Sequence, residues 1–197
     1  ADLKKALGIC IDAKTLFSND SNATETFLVH RNILSSFLPL LDEAFHEKGV
    51  SVHADSSCLR YMDHASLMEK GDEDKEYLAL ECNVMAVDSL EAAVDHINLH
   101  GSHHTDAIIT ENKENSSFFT SRTDSADVFV NCSTRFADGF RFGLGAEVGI
   151  STSKLHARGP VGLDGLMTTK WILKGHGETV GEYSGKDGKS FHHKELI

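Results

Sequence analysis

Segments of helical and of strand periodicity alternate along this chain between residues 33 and 132, and that alternation limits its possible folds more than any other feature. Ile33, Leu34, Phe37, Leu38, Leu41, Ala44 and Phe45 recur at helical spacing over residues 33–48, with Gly49 as the stop. Residues 50–54 read as a short strand, and residues 76–87, carrying Tyr77, Leu80, Val84, Met85 and Val87, contain another. Asp88-Ser89-Leu90-Glu91 has capping-box spacing, with Asp88 as acceptor, and opens a helix through Ala92, Ala93, Ile97 and Leu99 that Gly101 ends. Residues 106–110 (DAIIT) and 126–132 (ADVFVNC) read as strands on either side of a weak helix over residues 112–122. Strands alternating with helices imply βαβ units. The expected fold class is therefore α/β, a mainly parallel sheet with flanking helices.

The character changes after residue 132. Gly139, Gly143, Gly145, Gly149, Gly159, Gly162 and Gly165 crowd one region together with Pro160, the mark of ordered loops with special backbone angles. Gly143-Leu144-Gly145-Ala146-Glu147-Val148-Gly149 only superficially resembles a dinucleotide glycine loop. Its last glycine falls one place late, and the strand-before, helix-after context is missing. Trp171-Ile172-Leu173 reads as a strand, and the polar stretch after it has hairpin-like turns at Gly181 and Asp187-Gly188.

Composition excludes several classes of function. Thirty Asp and Glu against 19 Lys and Arg leave a formal charge of −11, and no basic run exceeds Lys4-Lys5. Such a chain is a poor ligand for nucleic-acid phosphates. No segment approaches the roughly 20 apolar residues of a membrane-spanning helix. The four cysteines, at positions 10, 58, 82 and 132, are widely spaced and read as free thiols of a reducing compartment. His96, His100, His103 and His104 invite a metal reading, but Gly101 interrupts their face and no supporting acid or thiol falls at a ligand interval. No metal is expected there, and His192-His193 is a weaker signal still. The acidic run 69–76 reads as a solvated turn. The residues by themselves describe an α/β domain whose glycine-rich segment lines a site.

Longer motifs say more. Gly101-Ser102-His103-His104-Thr105-Asp106-Ala107-Ile108-Ile109-Thr110, Asn131-Cys132-Ser133-Thr134-Arg135-Phe136-Ala137-Asp138-Gly139, and residues 142–160 (FGLGAEVGISTSKLHARGP) follow one another. Gly162-Leu163 and Thr168-Thr169-Lys170-Trp171 continue the pattern. Together these segments strongly resemble gamma-glutamyl phosphate reductase, also called glutamate-5-semialdehyde dehydrogenase. The wording between them looks most like the reductase part of plant-like delta-1-pyrroline-5-carboxylate synthase. The resemblance implies an aldehyde dehydrogenase-like catalytic domain with a C-terminal β arm for oligomerisation. It also implies NADPH-dependent reduction of gamma-glutamyl phosphate, through attack by a cysteine thiolate, on the route to proline. By the same resemblance Glu147 would approach the nicotinamide ribose, and Asn22, Ser133, Thr134 and Arg135 would lie near the substrate or its phosphate.

Two departures shape the functional expectation. The family segment A-C-N-A-M-E-T-L-L-V-H is matched by residues 20–30, DSNATETFLVH, so Ser21 stands where the nucleophilic cysteine belongs. A serine hydroxyl is a poor nucleophile without an activating base, and Asp20 beside it would oppose any anion formed there. Few residues precede Ser21, and residues 9–15 read as the last strand and connection of a cofactor domain that is otherwise absent. The resulting division is 1–19 as remnant of that domain, 20–170 as catalytic-like domain, and 171–197 as β arm. The leading expectation is a catalytically inactive domain, without cofactor, kept as a structural or interaction subunit of a larger assembly. Other protein subunits or further copies would bind through residues 171–197 and the surface vacated by the cofactor domain. The alternative is a C-terminal fragment of an active synthase or reductase using NADPH. A third reading is a phosphate-binding regulator using Ser133-Thr134-Arg135. A start at Ala1 fits a processed organellar protein, mitochondrial before cytoplasmic, or a piece of a longer chain.

Overall fold

Asp2 accepts a hydrogen bond from the Lys5 amide and so starts α1 (Leu3–Thr15). Residues 9–15, expected as a strand, are therefore helical. Ile9 and Ile11 suggest a β run locally, but Ala6, Cys10, Ala13 and Lys14 are the buried positions, and that spacing is helical. A turn leads into β1 (Thr26–His30) and then α2 (Leu34–Glu47). Leu34, Phe37, Leu38, Leu41 and Phe45 form the buried stripe of α2, as its periodicity predicts, and Phe45 meets Phe27 of β1 with ring centroids 5.4 Å apart. Next come β2 (Ser51–Ala54), α3 (Ser56–Leu59), β3 (Ser66–Leu67) and β4 (Glu81–Val87).

The four strands make one parallel sheet in the order β1-β4-β2-β3, with Phe27 opposite Val84 and His53 opposite both Asn83 and Ser66. The main apolar core joins α1 and α2 to this sheet through Ala6, Cys10, Phe27, Leu38, Phe45 and Val84. Asn83 is the polar exception inside β4. Its amide donates to the Asp72 carbonyl and its oxygen accepts from the Tyr77 hydroxyl, which fastens the acidic loop over the sheet.

α4 (Leu90–His100) follows, capped by Ser89, whose hydroxyl accepts from the Ala92 amide. Asp88, the acceptor expected from the sequence, is held instead by the Arg31 guanidinium. A second parallel pair, β5 (Thr105–Ile108) and β6 (Asp127–Val130), brackets α5 (Lys113–Arg122). The glycine-rich region holds an antiparallel hairpin, β7 (Gly149–Ser151) with β8 (Gly159–Val161), absent from the sequence reading. Gly143 and Gly145 adopt φ of +78° and +73°, and the chain they turn runs on into β7 rather than into a helix.

The computed structural model describes residues 1–192, divided into units of residues 1–167 and from residue 168 onward. The second unit corrects the expectation of a β arm. Among its described residues the regular element is a 3₁₀ turn, Val180–Tyr183, and the strand expected at Trp171-Ile172-Leu173 is not formed. A strand needs a neighbouring backbone to bond with, and residues 171–173 pair with none among the described residues. His193 and the rest of the expected arm, residues 193–197, lie outside the described residues. Among the described residues no helix is long and apolar enough to cross a membrane.

Candidate active site

Two loops far apart in sequence meet to form the site. The first is the turn between α1 and β1, folded by hydrogen bonds from the Asp20 amide to the Phe17 carbonyl and from the Ala23 amide to the Asp20 carbonyl. The second begins where Asn131 ends β6 in a left-handed conformation, φ +57°, which asparagine tolerates better than most residues. Its side chain exchanges two hydrogen bonds with the Thr110 backbone, at 2.8 and 2.7 Å. Ser133 then caps a 3₁₀ turn, Thr134–Phe136, by accepting from the Arg135 amide, and both Thr134 and Arg135 are buried.

Three polar contacts join the loops. Arg135 Nη2 lies 2.7 Å from Asp20 Oδ2, Asn22 Nδ2 donates to the Ala137 carbonyl at 2.6 Å, and the Thr24 and Thr134 hydroxyls are 3.1 Å apart. Arg141 holds the second loop from behind by donating to the Arg135 carbonyl at 2.8 Å. The expectation that Asp20 would burden Ser21 with negative charge is thus modified, because the Arg135 guanidinium offsets that carboxylate. Ser21 is exposed, and its hydroxyl makes no hydrogen bond among the described residues. Asn22 Oδ1 is buried without a partner, as are Nε and Nη1 of Arg135.

Glu147 is attached to the far end of the same loop. The Gly139 amide donates to its Oε2 at 2.8 Å, an approach open only to glycine, since a Cβ there would lie 2.5 Å from the Ala146 carbonyl oxygen. Glu147 is exposed, and the carboxylate oxygen not bonded to Gly139 can accept from a hydroxyl. Of the residues expected at the site, Ser21, Asn22, Ser133, Thr134 and Arg135 are therefore gathered together, and Glu147 is tied to them through one short segment. The pairing of Asp20 with Arg135 and that of Thr24 with Thr134 are the contacts that the sequence reading missed.

All four thiols are shifted away from the thiolate form. Burial pushes the Cys10 thiol up to about 12, and burial together with the Asp55 carboxylate does the same to Cys58. Burial also raises Cys82 and, among the four, the half-buried Cys132. The histidines scatter over separate partners. His100 meets Asp74 at 2.6 Å, His103 donates to the Asp124 carbonyl, and His104 pairs with the Thr105 hydroxyl.

No family model matches the sequence. Gamma-glutamyl phosphate reductase 1 of Synechocystis sp. is 52% identical to it over 196 residues, and the gamma-glutamyl phosphate reductase of Methanococcoides burtonii is 47% identical over 201 residues. Each match takes in 100% of this chain and 45% of the relative. The crystal structure of gamma-glutamyl phosphate reductase from Thermotoga maritima matches at a TM-score of 0.86 and 41% identity, covering 89% of this chain and 42% of that one.

The chain is a homologue of the gamma-glutamyl phosphate reductases. It spans less than half the length of the curated reductases it matches. Propionaldehyde dehydrogenase of Clostridium phytofermentans, 16% identical at a TM-score of 0.54, shares the fold alone, which places this reductase-like chain in the aldehyde dehydrogenase architecture.

Proposed function

We propose that this chain is the substrate-side portion of a gamma-glutamyl phosphate reductase, acting in the NADPH-dependent reduction of gamma-glutamyl phosphate to glutamate-5-semialdehyde for proline synthesis. One observation carries the reading: a buried guanidinium, Arg135, is gathered with Thr134, Asn22 and Ser21 in a single site. A guanidinium with N–H groups to spare suits the anionic oxygens of an acyl phosphate. Asn22 and Thr134 supply neutral polar groups beside it. Glu147 would accept from the cofactor's sugar, and NADPH when bound supplies the hydride.

Ser21 is the weak point of this chemistry. Its hydroxyl stands where the family pattern places a thiolate, and no base among the described residues hydrogen-bonds to it. That residue favours a second reading, a domain without turnover kept for binding. The apolar run Trp171, Ile172 and Leu173 supports a partner chain in either case.

Both readings meet in one experiment on the full-length protein, following NADPH formation from NADP⁺, glutamate-5-semialdehyde and inorganic phosphate. The expected result is weak turnover with Ser21 and a rise of about a thousandfold or more in Ser21→Cys, the scale on which a nucleophile acts. If a folded Ser21→Cys protein shows no turnover, the reductase reading falls and the binding module stands.

A further inference from the structure

Arg135 is 5% exposed, yet it uses only part of its hydrogen-bonding capacity. Nη2 meets Asp20, while Nε and Nη1 are buried and bond to nothing among the described residues. The ring of Phe17 lies 5.7 Å from the guanidinium carbon and shields one side. A buried guanidinium with idle N–H groups carries an unrecovered desolvation penalty, so the position is built for an acceptor with more oxygens than one carboxylate presents. Two residues from Asp20, Asn22 Oδ1 is a second buried group without a partner.

Asp20 differs in kind from the groups around it. Its side chain is 51% exposed against 6% for Arg135, and it sits on a turn rather than on a strand or helix. A carboxylate so placed can swing into water at little loss, whereas Arg135, buried with its carbonyl bonded to Arg141, stays where it is.

We propose that Asp20 is a built-in competitor: its carboxylate occupies the Arg135 site and must be displaced by the anionic oxygens of the incoming ligand. This deepens the proposed function, resting on the reading that Arg135 receives the substrate's anionic group. Asp20 thereby sets a threshold. A ligand able to bond two or three guanidinium N–H groups at once displaces it, and one offering a single weak acceptor does not. The shared chemistry is an oxyanion, either the phosphate of an acyl phosphate or the carboxylate of its glutamyl part.

The test is titration of the full chain with inorganic phosphate and, separately, with glutamate, read by calorimetry and by the rise in melting temperature. Wild type, Asp20→Asn, Asp20→Ala and Arg135→Gln are compared. Removing the competing charge should tighten binding about fivefold, the equivalent of a half-exposed ion pair at the upper end of its usual worth. Arg135→Gln should abolish it. Tightening for phosphate alone assigns the site to the acyl phosphate, and tightening for glutamate alone assigns it to the carboxylate. If an Asp20 variant is too unstable for calorimetry, phosphate should raise its melting temperature more than that of wild type. Equal or weaker binding in folded Asp20 variants overturns the proposal, as does absence of binding in every protein. Neither outcome depends on turnover by Ser21→Cys, so this inference and the reductase reading can fail separately.

Discussion

Lys14 is completely buried near the end of α1, and its ammonium lies 3.2 Å from Glu25 Oε2. Glu25 also accepts from the Tyr77 and Leu78 amides, both at 3.3 Å, so one carboxylate ties α1, the start of β1 and the loop before β4 together. Burial pushes the Glu25 carboxyl above the usual range, against the pull of Lys14 and those amides. Lys14→Met would leave that carboxylate buried without its counter-charge, and a loss of about 3 kcal/mol is expected in urea unfolding. The sign with pH follows from the same group. Without Lys14 the folded carboxyl binds its proton more readily than the unfolded one, so the deficit should shrink as pH falls through the raised value. At this scale the sequence announced much of the site. Ser21, Asn22 and Ser133-Thr134-Arg135 could be found by motif, because motifs record residue types at short spacing. The Asp20–Arg135 contact could not, since its partners are 115 residues apart and no local pattern links them.

Among the elements, the joint between β2, α3 and β4 depends on Asp55. One of its oxygens accepts from the Ser57 and Cys58 amides at 2.8 Å each, capping α3, and the other accepts from the Ala86 amide of β4 at 2.7 Å. Asp55→Ala should lower stability by about 2–4 kcal/mol, one lost cap plus one backbone donor left without its acceptor, measured as a shift in denaturation midpoint. A loss under about 0.5 kcal/mol would mean that the joint is held by packing alone. Elements with a long apolar rhythm were legible beforehand: the stripe of α2, the alternation from β4 through β6, and the Gly101 stop of α4. Those without one were not. α1 has isoleucines at alternate positions inside a helical stripe, and the β7–β8 hairpin has strands of three residues each in which glycine, proline and serine outnumber Ile150 and Val161, too short a pattern to read. The strand expected at Trp171 failed for another reason. Its residue types suit a strand, but a strand is a property of two segments, and no described segment pairs with this one.

For the whole molecule, the exposed run of residues 171–173 asks for a covering surface. Trp171 is 99% exposed and Leu173 98%, and a protein that stays in water seldom leaves such a run uncovered. Association with a second copy or another chain should therefore bury it, with strand pairing as one means of doing so. Light scattering across a range of concentrations checks the first case, and a monomer that stays soluble throughout would count against it. Trp171 makes the same event visible by other means. It is the chain's single tryptophan, so all indole emission comes from this one position. Unbound, that light should be red and readily quenched by a dissolved collider such as acrylamide. On association it should turn blue and resist quenching, as the ring leaves water for an apolar contact. The protein thus carries its own unlabelled lamp at the place where a partner is expected to land.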